Sequence, residues 1–355
     1  NANLKWEGSS TINLGVDLGF LDNRLNVTAD FFVKNTKDLL LAQSLAHVTG
    51  FDSQMQNIGK IQNKGIELSL NSTNIQTRDF SWQTNFNISF IKNTLKGLAS
   101  GVESMYARSG FDSNFTAYDY IATVGQSLGL IYGVYQSSDF YTTPDNQLIL
   151  KEGVTNNARY GTVKPGVVKY KDQDGDGIIT TNDRTVIGNA MPKWFGGITN
   201  TFDYKGIDFS FMLQFNYGND IYNATRLYST QSRNGRRNML AEVADRWSPT
   251  NTSNLVPSQD GYIVNDVYSR FIEDGSFLRL KNVTLGYTLP HKWTRKFHVS
   301  RLRLYATGQN LFCVSGYSGY DPEVNSASNT PMTPGLDWGA YPKSRVFTFG
   351  IDLQF

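Results

Sequence analysis

The sequence predicts an all-β fold, a transmembrane antiparallel β-barrel whose long loops lie outside the cell. Three features predict it: apolar and polar side chains alternate strictly, the alternating segments are long, and short and long connections alternate along the chain. The final segment shows the alternation most clearly. In an extended strand its two sets of side chains point to opposite faces. The apolar set is Phe347, Phe349, Ile351, Leu353 and Phe355, and the set between them is Thr348, Gly350, Asp352 and Gln354.

The first four predicted strands place an apolar side chain at nearly every second position. These strands cover about residues 11–20, 25–40, 61–73 and 80–95. In chain order, their apolar residues are Ile12, Leu14, Val16, Leu18 and Phe20; Leu25, Val27, Ala29, Phe31 and Val33; Ile66, Leu68 and Leu70; and Phe80, Trp82, Phe86, Ile88 and Phe90.

The remaining five predicted strands cover about residues 194–204, 207–217, 276–289, 300–313 and 344–355. The segment at 194–204 has the weakest pattern, because only Trp194, Ile198 and Phe202 keep the alternation. Ten residues at about 3.3 Å each, tilted by about 45°, span roughly 23 Å, which is close to the apolar band of an outer-membrane barrel. The next three strands carry Ile207, Phe209, Phe211, Leu213, Phe215 and Tyr217; Val283, Leu285, Tyr287 and Leu289; and Leu302, Leu304 and Ala306.

The connections alternate in length along the chain. The short ones are residues 21–24, 74–79, 205–206 and 290–299, and the long ones are 41–60, 91–193, 218–276 and 314–343. A soluble β-sandwich is the alternative fold, but it has no reason to place every long loop at one end. Outer-membrane barrels have short periplasmic turns and long extracellular loops. The pattern therefore favours the barrel, with 91–193 as the largest extracellular loop.

Composition and charge argue against several classes of protein. The 355 residues include 33 Lys and Arg against 31 Asp and Glu, for a net charge of +2. A duplex-binding protein is usually more basic, so nucleic acid is not an expected partner. No apolar run approaches the ~20 residues of a membrane helix. The single cysteine, Cys313, precludes an intramolecular disulfide, and we expect its thiol to be packed and inert.

The stretch "DQDGDGIITTND" has the spacing of a calcium-binding loop. Asp172, Asp174 and Asp176 occupy positions one, three and five, and Gly177 occupies position six, where such loops bend sharply. Three carboxylates so close together repel one another unless a cation lies between them. The other expected ligands are the Ile178 carbonyl at position seven, Thr180 at nine and Asp183 at twelve, where Asp is shorter than the usual Glu. A polar Asp/Gly turn is the alternative.

Aromatic residues in the long connections are candidates for binding a cargo, because loops carry function and sugar rings stack on aromatic faces. Packing of the loops against themselves is an equal alternative. The arginines at 233, 236 and 237 and the basic turn "HKWTRKFHVSR" are interpreted as solvated charge. The candidate aromatic residues are Trp247, Tyr262, Tyr268, Tyr317, Tyr320 and Trp338.

Catalysis finds little support in the sequence. Of the three histidines, His47 falls on the extracellular side, whereas His291 and His298 fall on the periplasmic side, too far away to share a site. There is no G-x-S-x-G, H-E-x-x-H or P-loop motif. The expected function is therefore not enzymatic. An adhesin or structural barrel is the main alternative, and a barrel lipase or protease a lesser one.

Several stretches resemble the SusC/RagA family of TonB-dependent outer-membrane transporters. They occur in the family's order and include "NANLKWEGSSTINLGVDLGFLDNRLNVTADFFVKNTKDLL", "IGKIQNKGIELSL", "YKDQDGDGIITTNDRTVIGNAMPKWFGGI", "YKGIDFSFMLQFNYGNDIYN", "GSFLRLKNVTLGYTLP", "ATGQNLF" and "YSGYDPEVN". Together with the ending from Arg345 to Phe355, they run across almost the whole chain. The match therefore covers the C-terminal barrel portion of such a transporter.

The resemblance implies a 22-stranded barrel in the outer membrane of a Gram-negative bacterium. It also implies an N-terminal plug, which this chain does not contain, energisation by TonB, and a SusD-like surface lipoprotein as a lid. The expected cargo is an oligosaccharide or, in some members, a peptide. In this family an ending such as Phe347–Phe355 also resembles the recognition signal of the barrel-assembly machinery, although the same residues would serve simply as lipid-facing apolar residues.

The strand count implies that more of the barrel exists elsewhere. Single-chain bacterial barrels have an even number of strands, whereas nine are predicted here and Asn1 would lie on the outer side. An unpaired strand edge in lipid leaves backbone groups without hydrogen bonds. We therefore expect residues 11–20 and 344–355 to pair with strands outside this chain, about thirteen of them if the family's 22 applies.

Overall fold

The computed structural model describes residues 4–44, 48, 50–51, 53–99, 101–113, 115–140, 165–177, 179–231, 238–252, 256–258, 266–327 and 330–355. Over these ranges most of the chain is β-strand. The strands, in chain order, are β1 Gly8–Phe20, β2 Leu25–Ser44, β3 Ser53–Gln76, β4 Phe80–Gly97, β5 Ser104–Ala107, β6 Tyr120–Thr123, β7 Leu130–Val134, β8 Gln136–Phe140, β9 Val168–Tyr170, β10 Arg184–Asn189, β11 Trp194–Tyr204, β12 Ile207–Tyr217, β13 Asp220–Asn223, β14 Ile272–Asp274, β15 Phe277–Thr288, β16 Arg301–Ser315, β17 Leu336–Asp337 and β18 Val346–Gln354.

Helices within the described ranges are short. The α-helices are α1 Ala224–Thr230 and α2 His291–Thr294, and the 3₁₀ turns are Thr181–Asp183, Ala241–Asp245, Ser269–Phe271 and Arg295–Phe297. None of these helices has the length and apolar composition needed to cross a membrane.

One nine-stranded antiparallel sheet contains all nine strands predicted from the sequence. Its strand order is β1-β2-β3-β4-β11-β12-β15-β16-β18, so neighbours along the chain are also neighbours in space. Within the described residues β1 and β18 are the two edges and do not pair with each other. The short connections lie at one end of the sheet, hereafter the short-turn end, and the long ones lie at the other.

The predicted long loop at 41–60 is wrong, because most of it continues the β2–β3 hairpin. Pairing extends to Ser44 opposite Ser53. The register shifts between Thr36 and Leu40, and Asp38 has a φ of 59°. These irregularities interrupt the two-residue period, so the alternation that signals a strand is lost even though the ladder goes on.

The two faces of the sheet differ in chemistry as the alternation predicts. Apolar side chains point outward and are exposed over all nine strands, Phe349 being 81% exposed. The opposite face is polar, and two of its carboxylates, Asp17 and Asp208, accept hydrogen bonds from neighbours on the same face. Thr28, for example, donates a hydrogen bond to Asp17 at 2.6 Å. The expectation that the Cys313 thiol is packed is wrong, since this side chain is exposed.

A glycine allows two charges on the polar face to meet across an intervening strand. Arg303 on β16 donates from Nε to Asp208 Oδ1 on β12 at 2.8 Å, although β15 lies between these two strands. The residue between them is Gly286, where an added Cβ would lie 2.5 Å from the carboxylate and 2.6 Å from the guanidinium. A side chain at position 286 would therefore displace the two charged groups from this geometry.

The apolar face contains a small hydrogen-bonded polar cluster that explains the weak alternation of β11. Asn200 and Thr84 are direct cross-strand partners on this face. The Asn200 carbonyl oxygen accepts from Thr84 Oγ1 at 2.7 Å and from Trp82 Nε1 at 2.9 Å, and Asn200 is buried. Because the Asn200 carbonyl oxygen accepts from both donors, the two polar residues are tolerated on a face that otherwise carries aromatic and aliphatic side chains.

The core of the protein lies at the long-loop end rather than within the large sheet. Three small sheets lie there, with strand orders β10-β7-β6-β5, β14-β13-β17 and β8-β9. Three long connections pack together, since Tyr120 donates to the Pro334 carbonyl at 2.9 Å and Val134 N–H donates to the Val267 carbonyl at 2.9 Å. We call the described residues of the connections 98–193, 218–276 and 316–345 the loop layer.

Replacing Asn200 tests the assignment of the faces. Asn200→Leu leaves the Trp82 and Thr84 donors without an acceptor in a water-poor face, so we expect a loss of about 1–3 kcal/mol in the free energy of unfolding. Adding Trp82→Phe removes one of the two unpaired donors and should restore part of it, whereas Thr84 is kept because its hydroxyl also accepts from Asn74 at 2.7 Å. Urea unfolding of the full-length protein in detergent micelles measures both effects.

Asn87→Leu is the matched control, because Asn87 lies on the polar face of β4 and is exposed. Water can hydrogen-bond to any group that this substitution leaves unpaired, so the change in the free energy of unfolding should be within about 0.5 kcal/mol. If Asn200→Leu proved as mild as Asn87→Leu, the assignment of the two faces would be contradicted.

Candidate functional site

The loop layer concentrates buried charged groups and is the candidate functional site. Asp119 precedes β6 and is fully buried, and its carboxylate accepts hydrogen bonds from the Ser109 N–H (2.8 Å) and the Ser109 hydroxyl. Burial raises the pKa of Asp119 to about 6, although the Ser109 hydrogen bonds and the charge of Arg184 lower it in part. This carboxylate holds the segment after β5 against the residues that lead into β6.

Arg184, at the start of β10, joins three segments of the layer. It forms an ion pair with Asp266 at 3.2 Å, and both side chains are buried. It also donates to the Tyr132 carbonyl at 3.1 Å, and its guanidinium lies 4.8 Å from the centre of the Tyr132 ring. A buried ion pair adds little net stability, but losing one partner is costly, so this pair fixes how the connections pack.

The predicted calcium loop brings its first three acids together. One carboxylate oxygen each from Asp172, Asp174 and Asp176 lies within 4.8 Å of the others. The Asp172 oxygens accept from the N–H groups of Gly175 (2.6 Å) and Gly177 (2.9 Å), which turns the loop back on itself. The Asp176 N–H hydrogen bond lowers the pKa of Asp174, but desolvation and the neighbouring carboxylates outweigh it, so the pKa is raised overall.

Asp183, at position twelve, has a different environment from the first three acids. It is fully buried and accepts from the Gln173 N–H (2.7 Å) and the Thr180 N–H (2.6 Å). The Thr180 hydroxyl accepts in turn from the Asn182 N–H at 3.0 Å, which completes a capping box. Asp183 therefore ties the two ends of the loop together, and Ile178 lies outside the described residues.

The aromatic candidates are divided between the interior and the surface of the layer. Trp247 and Tyr317 are each only 8% exposed, and the Tyr317 hydroxyl donates to Asp337. Tyr268 is fully buried and stacks on Tyr170 with ring centres 5.8 Å apart. Tyr320 is 83% exposed. The candidate at 262 lies outside the described residues, as do His47 and the arginines at 233, 236 and 237.

Trp338 belongs to an aromatic cluster that the sequence analysis did not identify as a whole. Its ring centre lies 4.7 Å from that of Tyr228 and 5.0 Å from that of Phe111, which is 4.7 Å from Phe115. All four side chains are half-buried. We call Phe111, Phe115, Tyr228 and Trp338 the aromatic cluster. Only the Phe111–Phe115 spacing is visible in the sequence, because the other two residues come from different connections.

The C-terminal strand β18 carries the predicted outward row. The side chains exposed on the apolar face are Phe347, Phe349, Ile351, Leu353 and Phe355.

At the opposite end of the sheet from the loop layer, His291 and His298 lie in the turn between β15 and β16. The described histidines are therefore remote from the candidate site.

Comparison with known proteins identifies the fold and the family. The family model described as TonB dependent receptor-like, beta-barrel matches residues 1–311. The chain is 37% identical over 366 residues to TonB-dependent receptor P3 of Formosa agariphila, and 31% identical over 357 residues to TonB-dependent receptor SusC of Bacteroides thetaiotaomicron. Both alignments include the whole chain, which spans only 35% and 32% of these two relatives.

Solved structures give the same fold. The RagAB peptide transporter superposes with a TM-score of 0.78 at 24% identity, covering 100% of this chain and 36% of that one. The "open-open" state of the RagAB peptide importer superposes with a TM-score of 0.76 over 35% of its chain. The expected resemblance is thus confirmed, and the family comprises receptors and transporters rather than enzymes. The chain belongs to the TonB-dependent receptor-like β-barrel family and is of the SusC/RagA type.

Proposed function

We propose that this chain forms part of an outer-membrane importer of oligosaccharides or peptides, energised by TonB and closed by a SusD-like surface lipoprotein. The observation that carries the proposal is the polarity of the sheet: an apolar outer face, a polar inner face with the Arg303–Asp208 ion pair, and an ordered layer over one end. In the complete barrel, the edges β1 and β18 pair with further strands, and a plug fills the lumen. The organism is a Gram-negative bacterium.

The loop layer supports a role in holding cargo. The aromatic cluster joins three separate connections and remains half-buried, so part of its ring surface faces outward. Sugar rings and peptide side chains both pack on such surfaces. Tyr320 is exposed but outside this cluster, and the buried Trp247 and Tyr317 support the layer from within.

The alternative is an adhesin or structural barrel, which would need an outer surface but no polar lumen. The Arg303–Asp208 ion pair on the polar face and membership of the TonB-dependent receptor-like family favour transport. RagAB is a peptide transporter by name, which favours a peptide cargo, whereas the oligosaccharide class rests on the sequence resemblance. Both classes therefore stay within the proposal.

Deleting the gene and weakening the aromatic cluster together test the function. We expect deletion to abolish growth on one polymeric nutrient only.

In the full-length protein, Phe111→Ala with Trp338→Ala should weaken cargo binding about tenfold, as expected when about 1.4 kcal/mol of ring packing is lost. Uptake of labelled oligomers and calorimetry of the purified transporter measure these effects.

Tyr341→Ala is the control for the cluster, because Tyr341 is not a candidate cargo residue, is 91% exposed and makes no ring contact within the described residues. It should leave uptake nearly unchanged. Persistence of growth on every candidate oligomer after deletion would instead support adhesion.

We also propose that the loop from Asp172 to Asp183 binds Ca²⁺ as a structural ion. Carboxylate oxygens are the ligands that Ca²⁺ prefers, and a carboxylate oxygen that accepts one backbone hydrogen bond retains a lone pair for a cation. Asp172, Asp174 and Asp176 supply the convergent oxygens, with the Ile178 carbonyl and Thr180 as further expected ligands. Asp183 holds the loop closed beneath them.

Neutralising two of the acids tests the calcium site. Asp172→Asn with Asp174→Asn should weaken Ca²⁺ binding at least about tenfold from an affinity in the range of about 0.1–1 mM. Ca²⁺ should no longer protect the loop from proteolysis, whereas barrel unfolding should not change because the strand ladder does not include this loop. Calorimetry and limited proteolysis of the full-length protein measure both.

Asp22→Asn with Asp245→Asn is the matched control, since both acids are exposed and lie outside the loop. Asp183→Ala provides a contrast: it should increase proteolysis of the loop with or without Ca²⁺, because it removes the acceptor for two backbone N–H groups. Equal Ca²⁺ binding by the native protein and the Asp172/Asp174 double variant would refute the site.

A further inference from the structure

The turn between β15 and β16 carries positive charge without a compensating acid. It contains Lys292, Arg295 and Lys296, and the sequence has no Asp or Glu between positions 275 and 320. Within the described residues these three side chains form no ion pair, whereas Lys205 on a neighbouring turn lies 3.8 Å from Asp79. The turn therefore presents unneutralised cations at the short-turn end.

The same turn exposes two large aromatic side chains. Helix α2 continues into the 3₁₀ turn Arg295–Phe297, and the segment ends at His298, which has a left-handed φ of 58°. Thr294 faces the protein and is 3% exposed, whereas Trp293 is 53% exposed and Phe297 76% exposed. Both exposed rings belong to this short turn and give it an aromatic side.

Positive charge and apolar surface are adjacent on this turn. Lys292 and Lys296 are also four residues apart, one position before each ring, so they lie next to the aromatic side. Aromatic rings and flanking cations on a short amphipathic segment are typical of protein surfaces at the boundary between lipid and water. Trp in particular is enriched at that boundary.

The strands on either side of the turn carry an apolar groove, whose wall residue Tyr287 lies three positions before Pro290. The Leu289 N–H donates to the Leu302 carbonyl at 2.9 Å, which closes the ladder beside the turn. On the apolar face, Ala306 lies between Leu285 and Phe349 in one cross-strand row, and its small side chain leaves a depression. The groove has a volume of about 890 Å³, and its walls include Ile207, Leu285, Tyr287, Leu304, Phe349 and Ile351.

We propose that this turn and groove bind an anionic phospholipid of the membrane leaflet at the short-turn end. Lys292, Arg295 and Lys296 contact the phosphate of the headgroup, Trp293 and Phe297 lie in the interfacial layer, and an acyl chain lies along the groove over Ala306. Basic residues beside membrane-spanning segments bind anionic headgroups in this way. An acidic protein segment would also suit the cations, but the groove continues onto the apolar face of the sheet, which favours lipid.

Lipid titration of the full-length protein tests the proposal. Protein freed of lipid in a neutral detergent is titrated with phosphatidylglycerol or phosphatidylcholine, and the bound lipid is counted by native mass spectrometry. Phosphatidylglycerol should bind more tightly. Lys292→Gln with Lys296→Gln, or salt raised to about 0.5 M, should weaken its binding about tenfold and leave phosphatidylcholine unchanged.

Arg78→Gln with Lys205→Gln is the matched control, because it removes two exposed cations from other turns at the same end. It should retain native binding of phosphatidylglycerol. Equal affinity for the two lipids, or an unchanged affinity in the Lys292/Lys296 variant, would overturn the proposal.

A second measurement does not depend on that variant. The native protein and Trp293→Phe are placed in nanodiscs that contain phosphatidylglycerol with brominated acyl chains, and the difference in their fluorescence isolates Trp293. Quenching of this signal is expected. An unquenched signal would mean that the ring packs against another polypeptide segment, and it would overturn the proposal.

Discussion

Backbone hydrogen bonding in a medium without water is the constraint on which the rest of the structure depends. Every N–H and C=O group of a membrane-spanning segment needs a partner within the protein, and an antiparallel ladder supplies it between neighbouring strands. The nine long strands satisfy this requirement in chain order, from β1 to β18. Side chains are then free to differ on the two faces, and short turns suffice at one end.

Departures from simple alternation have local solutions on each face. On the apolar face, the polar residues Asn200 and Thr84 are cross-strand partners and satisfy each other together with Trp82. On the polar face, the absence of a side chain at Gly286 lets Arg303 reach Asp208 across a strand. In both cases a residue that looks unfavourable by itself is explained by the strand beside it.

The loop layer obeys a different rule, because it is stabilised by burial rather than by a continuous ladder. Its core residues, such as Tyr120, Phe271 and Leu336, come from separate connections and are at most 1% exposed. Buried charges such as Asp119 and the Arg184–Asp266 pair fix how those connections pack. A rigid layer of this kind can hold the aromatic cluster and the acidic loop in fixed positions at the mouth of a barrel.

The sequence by itself determined the nine strands, their order and the sides they face, because each strand has a two-residue period that needs no distant partner to be recognised. It also determined the spacing of Asp172, Asp174 and Asp176. Only the tertiary structure decided that β2 and β3 continue past the bulge at Asp38, and that Asp183 is buried beneath the acidic loop. The aromatic cluster likewise became visible only when Phe111, Tyr228 and Trp338 packed together. Contacts between residues more than a hundred positions apart leave no period in the sequence, since they depend on burial and close packing rather than on local backbone geometry.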